Sequence, residues 1–287
     1  MNYENYAKNV LLFGLFLFIC TQFQKVNAQE LTKETFKDSI GKMPYFSIYK
    51  DNYFISGVPT NGSINRNSAN AKYQISFKQM ISRRIMPWDT YLFMTYSQTA
   101  FWDIYAESLP FKAIDFNPTI SIGRAFFDKN HNLNGLGVLS LEHESNGRDS
   151  TFSRSWNRIS AEYTTKFSRT ILGKIKVWMP FGYKSGNPDI LDYRGLGELS
   201  LSYEAVPKQL YFEIMMRKGL KWEWTGTLRP RIYYNPFKNR SNQYLMLEWY
   251  VGQGEGLGNY QESISMLRLG YVIKSSELNF LKRKRSK

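Results

Sequence analysis

The chain has 287 residues, of which 22% are charged and 16% aromatic, and its formal net charge is +14. The charged fraction excludes a bundle of transmembrane helices, and 43% hydrophobic residues exclude an intrinsically disordered chain. A polar average combined with many aromatic residues is typical of an outer-membrane barrel, in which polar lumen residues dilute a lipid-facing apolar band.

The first 28 residues have the three-part pattern of a secretory signal peptide. Lys8 provides a positive start, residues 10–20 form an apolar run interrupted by Gly14, and Val26-Asn27-Ala28 offers small residues at a cleavage point. The run is too short to span a bilayer, which disfavours the alternative of a membrane anchor. Cleavage would remove the single cysteine, Cys20, and export without disulfides fits a Gram-negative outer membrane.

Residues 29–47 are predicted to be a periplasmic N-terminal segment. They are charged, and their apolar residues are spaced loosely as in a short helix: Leu31, Phe36, Ile40 and Met43. At the other end, residues 281–287 form a basic tail that we interpret as solvated. Because the chain is exported, anionic lipid headgroups and lipopolysaccharide are better partners for its basic residues than nucleic acid.

Between these segments, residues 48–280 follow a β pattern with frequent turn signals. Twelve strands are predicted, each long enough to cross a membrane when tilted. Residues 61–70 and 106–117 are interpreted as surface loops. The predicted strands are 48–57, 72–82, 90–102, 117–128, 133–145, 154–166, 173–184, 192–204, 208–218, 222–234, 243–254 and 264–274.

Alternation of apolar and charged side chains assigns two faces to these strands. In one strand Ile175, Val177 and Met179 alternate with Lys174 and Lys176. In a membrane barrel the apolar set faces lipid and the charged set the lumen. The sequence therefore predicts an all-β fold, a twelve-stranded antiparallel transmembrane β-barrel of the outer-membrane type with a filled, salt-bridged lumen. A soluble β-sandwich or lipocalin-like barrel, with its apolar face inside, is the alternative architecture.

The segment 139–163 contains polar residues that break this pattern. His143 and Ser145 lie two residues apart in one predicted strand and share its lipid-side face with Leu141. Asn157 lies on the apolar face of the next strand. Polar side chains on a lipid-facing surface lower stability, and such local violations are expected at functional sites.

These residue types offer nucleophilic acyl transfer. His143 would take the proton of the Ser145 hydroxyl, and the side-chain oxygen of Asn157 would accept the other imidazole N–H and fix its tautomer. Glu144 does not fit as the third member, because alternation places it, with Glu142, on the lumen face. Each residue alone has a structural interpretation, but their joint occurrence on one face favours catalysis, and a site open to lipid predicts a lipid ester as substrate.

The stretches His143-Glu-Ser-Asn-Gly-Arg148 and Ser153-Arg-Ser-Trp-Asn-Arg158 resemble the signature of the bacterial outer membrane phospholipase A family. Further similarity covers nearly the whole chain after residue 28, including Asp51-Asn52-Tyr53, Tyr96-Ser-Gln98, Asn187-Pro188-Asp189-Ile190 and Gly254-Glu255-Gly256. The resemblance implies a twelve-stranded barrel that acts as a calcium-dependent homodimer and hydrolyses phospholipid acyl esters at either glycerol position.

The resemblance also implies roles for individual residues in catalysis. Ser145 would be the nucleophile, His143 the base and Asn157 the residue that orients it. The backbone N–H of Gly147 would help to form the oxyanion hole.

Further roles implied by the resemblance concern calcium and the dimer. Calcium would be held by the Arg148 carbonyl and the Ser153 hydroxyl, with the carbonyl of Ser108 coming from the partner subunit. Gln98 would be a dimer contact, and its alternative interpretation is a lumen residue.

Two other functions fit an exported barrel. A passive pore predicts conductance without hydrolysis, and lumen charges of both signs argue against it. A lipopolysaccharide deacylase with a Ser-His pair would need a lipid-facing carboxylate near His143, and none is evident in the sequence.

Overall fold

A computed structural model describes residues 32–82, 86–237, 241–276 and 281, and the predicted signal peptide lies outside them. Among these residues, no helix is long and apolar enough to cross a membrane. The helices are α1 (Lys33–Lys42) and α2 (Ile190–Arg194), and the strands are β1 (Phe46–Ile48), β2 (Asn52–Pro59), β3 (Asn70–Met80), β4 (Thr90–Trp102), β5 (Phe111–Phe127), β6 (Leu133–Ser145), β7 (Ser155–Lys166), β8 (Ile171–Phe181), β9 (Gly197–Val206), β10 (Leu210–Lys218), β11 (Gly226–Tyr234), β12 (Gln243–Gly252) and β13 (Ile264–Ile273).

Within the described residues, the twelve strands β2 to β13 form a closed antiparallel barrel. Each strand pairs with its neighbours in sequence, and β13 pairs with β2 to close the sheet. The predicted fold class is therefore confirmed. The predicted first strand is divided in two, because β1 pairs with the far end of β3 and the chain bends at residues 49–51 before β2 begins.

Three predicted boundaries are wrong. Residues 111–117, interpreted as loop, belong to β5, which pairs with β4 as far as Phe111. Residues 192–194 belong to α2, whose C-cap is Gly195; the φ of this glycine is 59°, and an added Cβ would lie 1.9 Å from the carbonyl oxygen of Lys218. Residues 222–225 belong to a loop, because the Lys218 ammonium donates to backbone carbonyls within residues 219–223.

The apolar residues of the alternating strands face outward. Ile175, Val177 and Met179 are 47%, 48% and 64% exposed, whereas Trp178 between them is buried. Leu269 is likewise exposed, beside buried Arg268. The predicted faces are confirmed, and the soluble alternative with its apolar face inside is wrong.

The lumen is crossed by buried ion pairs, with a cavity of about 360 Å³ left between the charged side chains. Glu248 is fully buried and accepts hydrogen bonds from Lys72 at 2.8 Å and from Arg231 at 2.7 Å. Arg268 binds both carboxylate oxygens of Glu255, at 2.7 and 3.0 Å. Buried charges persist only when paired in this way, so the predicted salt-bridged interior is confirmed.

Helix α1 packs against the end of the barrel that carries the turn at residues 128–132. Thr32 caps the helix by accepting from the Thr35 amide, and Phe36 and Ile40, one turn apart, are buried in a cluster with lumen-side apolar residues. Lys33 pairs with Asp89 at 2.6 Å. The predicted short helix is confirmed, and the periplasmic location of residues 29–47 stays a prediction.

The two rims of the barrel differ in their connections. Short turns at 128–132, 167–170 and 207–209 lie at the rim next to α1. The opposite rim has the loops 60–69, 103–110, 146–154, 182–196, 219–225 and 253–263. In outer-membrane barrels the short turns face the periplasm and the long loops face the exterior, so we call the second rim the outer rim.

Candidate active site

The three candidate catalytic side chains come from β6 and β7, which pair antiparallel in one register. Asn157 lies directly opposite His143, and Ser145 ends β6 at the outer rim. Leu141, on the same face as His143, is 50% exposed, whereas Glu142 next to it is 3% exposed. The structure therefore brings His143, Ser145 and Asn157 together on the outward face.

The imidazole of His143 has a defined partner. Its Nδ1 lies 2.8 Å from the side-chain oxygen Oδ1 of Asn157. An amide oxygen can only accept, so in the neutral imidazole Nδ1 carries the proton and Nε2 keeps the lone pair that a general base needs. Gly182, just after β8, packs close to the Asn157 side chain. An added Cβ there would lie 3.0 Å from the amide nitrogen of Asn157.

Ser145 lies on the same face of β6, two residues beyond His143. Among the described residues these two side chains do not form a direct hydrogen bond. Catalytic hydrogen bonds are often long in a free enzyme and shorten in the substrate complex. The shared face and spacing therefore still suit proton transfer from the Ser145 hydroxyl to His143.

The backbone conformation and the packing at Gly147 both favour glycine. Its φ is 63°, in the left-handed region, and an added Cβ would lie 2.6 Å from the ring of Phe116. Phe116 in turn lies opposite Ser145 in the pairing of β5 with β6. Glycine lets the backbone approach this ring closely, two residues after Ser145.

Asn146 shapes the loop that follows Ser145. Its side chain is buried, and its Oδ1 accepts from the backbone amides of Arg148 at 3.3 Å and Arg154 at 2.9 Å. Its Nδ2 donates to the Phe152 carbonyl at 2.8 Å. One side chain thus satisfies three backbone groups and closes residues 147–153 into a compact turn.

The candidate calcium ligands Arg148 and Ser153 both lie in this turn. The Arg148 guanidinium donates to the Lys112 carbonyl at 2.8 Å, and the Ser153 carbonyl accepts from Arg154 at 2.9 Å. In the part of the chain that the structure describes, neither the Arg148 carbonyl nor the Ser153 hydroxyl makes a hydrogen bond. Neutral oxygens without a protein partner are suitable ligands for a hard cation such as calcium.

Ser108 lies outside this cluster. It is exposed in the loop 103–110 at the outer rim, and its φ is 64°. The neighbouring Leu109 carbonyl accepts from the Trp102 indole at 2.8 Å, which anchors the loop to the end of β4. Ser108 is thus presented at the surface.

Gln98 faces outward, so its interpretation as a lumen residue is wrong. Ser97 next to it is buried in the lumen, and the Gln98 Oε1 accepts from the Tyr96 hydroxyl at 2.9 Å. Gln98 lies opposite Phe116, which lies opposite Ser145, so one row across β4, β5 and β6 joins them.

Sequence patterns did not identify Asn117. Its Nδ2 donates to the backbone carbonyl of His143 at 2.7 Å. Pro118 has no N–H, and it lies where the ladder of β5 with β6 is interrupted, between the rungs at Ser145 and Glu142. Asn117 therefore supplies the donor that proline lacks, and the Asn-Pro dipeptide within a strand is the signal that could have found it.

Two residues that the resemblance included without giving them a role, Asn187 and Asp189, come from the loop 182–196. Asn187 is fully buried, and its Oδ1 accepts from the Ser155 amide at 3.2 Å. Asp189 accepts from the hydroxyl of Tyr260 and from Gln261 at 2.6 Å. Burial would raise the pKa of Asp189, but these two hydrogen bonds outweigh burial and hold the pKa below its usual value.

Comparisons with known proteins bear on the class of this chain. A sequence profile of the family described as Phospholipase A1 matches residues 28–273. A phospholipase A1 homologue of Neisseria meningitidis serogroup B is 30% identical over 80% of this chain, which spans 63% of that relative's length. The Klebsiella pneumoniae phospholipase A1 is 27% identical over 70% of this chain and 69% of its own length.

The fold has a counterpart among solved structures. The Salmonella typhi outer membrane phospholipase, solved as a dimer with bound calcium, matches with a TM-score of 0.72 and 21% identity, over 88% of this chain and 99% of that one. Fold and family together define an ester hydrolase built on an outer-membrane-type barrel. The chain belongs to the phospholipase A1 family.

Proposed function

We propose that this chain is a calcium-dependent phospholipase of the Gram-negative outer membrane that cleaves phospholipid acyl esters with Ser145, His143 and Asn157. The observation that carries the proposal is the 2.8 Å contact between His143 Nδ1 and Asn157 Oδ1 on the outward face of the barrel. A polar pair in that position meets lipid rather than water, and its orientation leaves His143 Nε2 free to act as a base.

The residues perform acyl transfer in two steps. His143 takes the Ser145 proton as the serine oxygen attacks the ester carbonyl, and the Gly147 backbone N–H stabilises the oxyanion. The imidazolium then returns the proton to the departing glycerol oxygen. Water, activated by the same imidazole, hydrolyses the acyl-Ser145 ester and releases the fatty acid. Asn157 holds the tautomer throughout but supplies no charge.

Calcium is the proposed cofactor. The Arg148 carbonyl and the Ser153 hydroxyl would hold it, with the carbonyl of Ser108 from a second copy of the chain. When bound, it would supply positive charge for oxyanion stabilisation. Calcium affinity rises with the charge of its ligands, so neutral oxygens from one chain alone predict weak binding. Dimerisation would therefore strengthen it.

A homodimer is the proposed active form. Gln98 lies in the outward row that ends at Ser145, so a second copy seated there would flank the catalytic residues. A buried glutamine can donate and accept across a two-fold axis. The homology to a protein solved as a dimer supports this arrangement.

The proposed substrate range covers both ester positions, and lysophospholipids as well. The catalytic residues lie on the outward face of the barrel, where a phospholipid can present the ester at either position of its glycerol backbone. Lipopolysaccharide is the proposed neighbour at the outer rim, where exposed basic residues such as Lys112 and Arg148 would meet its phosphates.

The test is fatty acid release from phospholipid micelles by the refolded chain, with calcium and with EDTA, and with Ser145→Ala alongside. We expect calcium-dependent release that Ser145→Ala reduces by at least about 10³-fold. A folded, dimeric barrel that releases no fatty acid would overturn the proposal. Activity on lipid A alone would support the deacylase alternative, and conductance alone would support the pore.

A further inference from the structure

Behind the catalytic row, on the lumen face of the same two strands, lies a cross-strand pair of a partly buried carboxylate and a fully buried indole. Glu144 lies directly opposite Trp156. This rung stands between the rung of His143 with Asn157 and the rung that contains Ser145. Any shift of the Glu144–Trp156 rung therefore moves the backbone that sets the distance between the base and the nucleophile.

The Glu144 carboxylate is bound from three directions. One oxygen accepts from the Trp156 indole N–H at 3.0 Å and lies 3.2 Å from Nη2 of Arg158, and the other accepts from Nη1 of Arg194 at 2.7 Å. Charge-assisted hydrogen bonds of this kind are strong where water is excluded.

The Trp156 side chain, like the Glu144 carboxylate, has several close contacts. It is fully buried, the guanidinium of Arg158 lies 4.3 Å from its ring centroid, and Trp178 packs edge-on at 6.3 Å. Stacking of a guanidinium on an indole adds to the hydrogen bond with Glu144. The rung is thus fixed on both strands.

Arg194 extends this support beyond the two strands. It is buried in α2, within the same loop whose Asn187 binds the Ser155 amide. One loop therefore contacts the ends of both catalytic strands. Its Arg194 binds the Glu144 carboxylate of β6, and its Asn187 binds the Ser155 backbone amide of β7.

We propose that Glu144, with Trp156 and Arg194, is the positioning element that sets the reactivity of Ser145 through the backbone of β6 and β7. This inference rests on the proposed function of Ser145 and His143. Glu144 touches neither the substrate nor the reacting atoms. It acts by holding the catalytic geometry, in which a misplacement of about 1 Å costs roughly 10²-fold in rate.

The test measures reaction of Ser145 with a long-chain alkylsulfonyl fluoride in the full-length, calcium-loaded protein. The number of labelled sites per chain reports the correctly folded fraction, and the rate constant per labelled site reports reactivity. For Glu144→Gln we expect that rate constant and kcat to fall about 10- to 100-fold, with KM nearly unchanged. Glu162→Gln is the matched control, since Glu162 also faces the lumen from β7 but pairs loosely with Lys174 at 3.7 Å.

The inference is overturned if the rate constant per labelled site falls by less than about threefold in Glu144→Gln. This holds whatever the number of labelled sites, because Glu144 would then be structural only. If Glu144→Gln does not fold, Trp156→Phe decides by the same criterion. That variant keeps an aromatic ring and the ion pairs of Glu144 but loses the indole N–H. A wild-type protein that neither labels nor hydrolyses would instead refute the proposed function.

Discussion

The two faces of β6 and β7 use polar residues in opposite ways. On the outward face, His143 has one side-chain partner, Asn157, and the Ser145 hydroxyl is not bonded to it. On the inward face, Glu144 alone binds three donors. Polar groups that face lipid keep bonding capacity for a substrate, whereas the Glu144 carboxylate in the lumen is bound through both of its oxygens and holds the scaffold. Substitutions on the two faces should therefore separate stability from activity.

The largest expected effect is on stability and comes from the lumen. Glu248→Gln leaves Arg231 buried without its carboxylate and leaves Lys72 with Glu255 alone, so the free energy of unfolding should fall by about 3–5 kcal/mol. Denaturant titration of the barrel in detergent measures this fall. Activity per folded molecule should stay at the wild-type value. A variant of wild-type stability, or one that folds fully but is inactive, would contradict the separation.

Substitution of Gly147 should raise the activation free energy of catalysis by a comparable amount. Gly147→Ala strains a positive φ and meets the Phe116 ring, which displaces the proposed oxyanion donor. We expect kcat to fall by about 10²- to 10³-fold. Gly62→Ala is the control, because Gly62 also has a positive φ of 94° but lies in open space. Equal activity in Gly147→Ala and Gly62→Ala would show that Gly147 has no role in catalysis.

A smaller loss is expected when the orienting side chain is removed. Asn157→Ala frees the His143 ring to rotate, and kcat should fall about 10- to 100-fold in steady-state assays. Asn157→Asp keeps an acceptor for the imidazole N–H and should retain more activity than the alanine variant. If both variants lose the same activity, the role of Asn157 is not that of an acceptor.

The smallest effect concerns pH and the outer rim. The pKa of Asp189 is lowered, so its stabilisation of the link to Tyr260 and Gln261 is complete above its unfolded-state pKa of about 3.9 and is lost as the pH falls through the lower folded value. Because Asp189 is partly exposed, the contribution should be below about 1 kcal/mol. The hydrogen-exchange protection factors of residues 253–263, which correct for the slower intrinsic exchange in acid, should fall in acid for the wild type. In Asp189→Asn the protection factors should already be low at neutral pH, and a wild-type-like response there would refute the assignment.

Periodicity predicted much of this molecule but not all of it. Strict alternation made the faces of β8 and β13 predictable, since lipid and lumen demand different side chains. The same rule placed His143, Ser145 and Asn157 on one surface. The start of β5 was mispredicted: Pro118 interrupts the ladder with β6, and the compensating bond from Asn117 depends on tertiary register, which the local sequence does not reveal.

The supporting contacts of the site could not be predicted for a related reason. Asn187 and Arg194 reach the catalytic strands from a loop more than thirty positions along the chain. No local pattern encodes such a contact, because it depends on how that loop folds over the lumen. The roles of Arg148, Ser153, Ser108 and Gln98 stay predictions from resemblance.

The most direct test of the central claim is to map where an alkylsulfonyl fluoride modifies the calcium-loaded protein, by mass spectrometry of the digested barrel. We expect one labelled residue, Ser145, and no labelling in His143→Ala, because the outward imidazole activates that hydroxyl. Labelling of a different residue in a hydrolytically active barrel, or labelling of Ser145 that does not depend on His143, would contradict it.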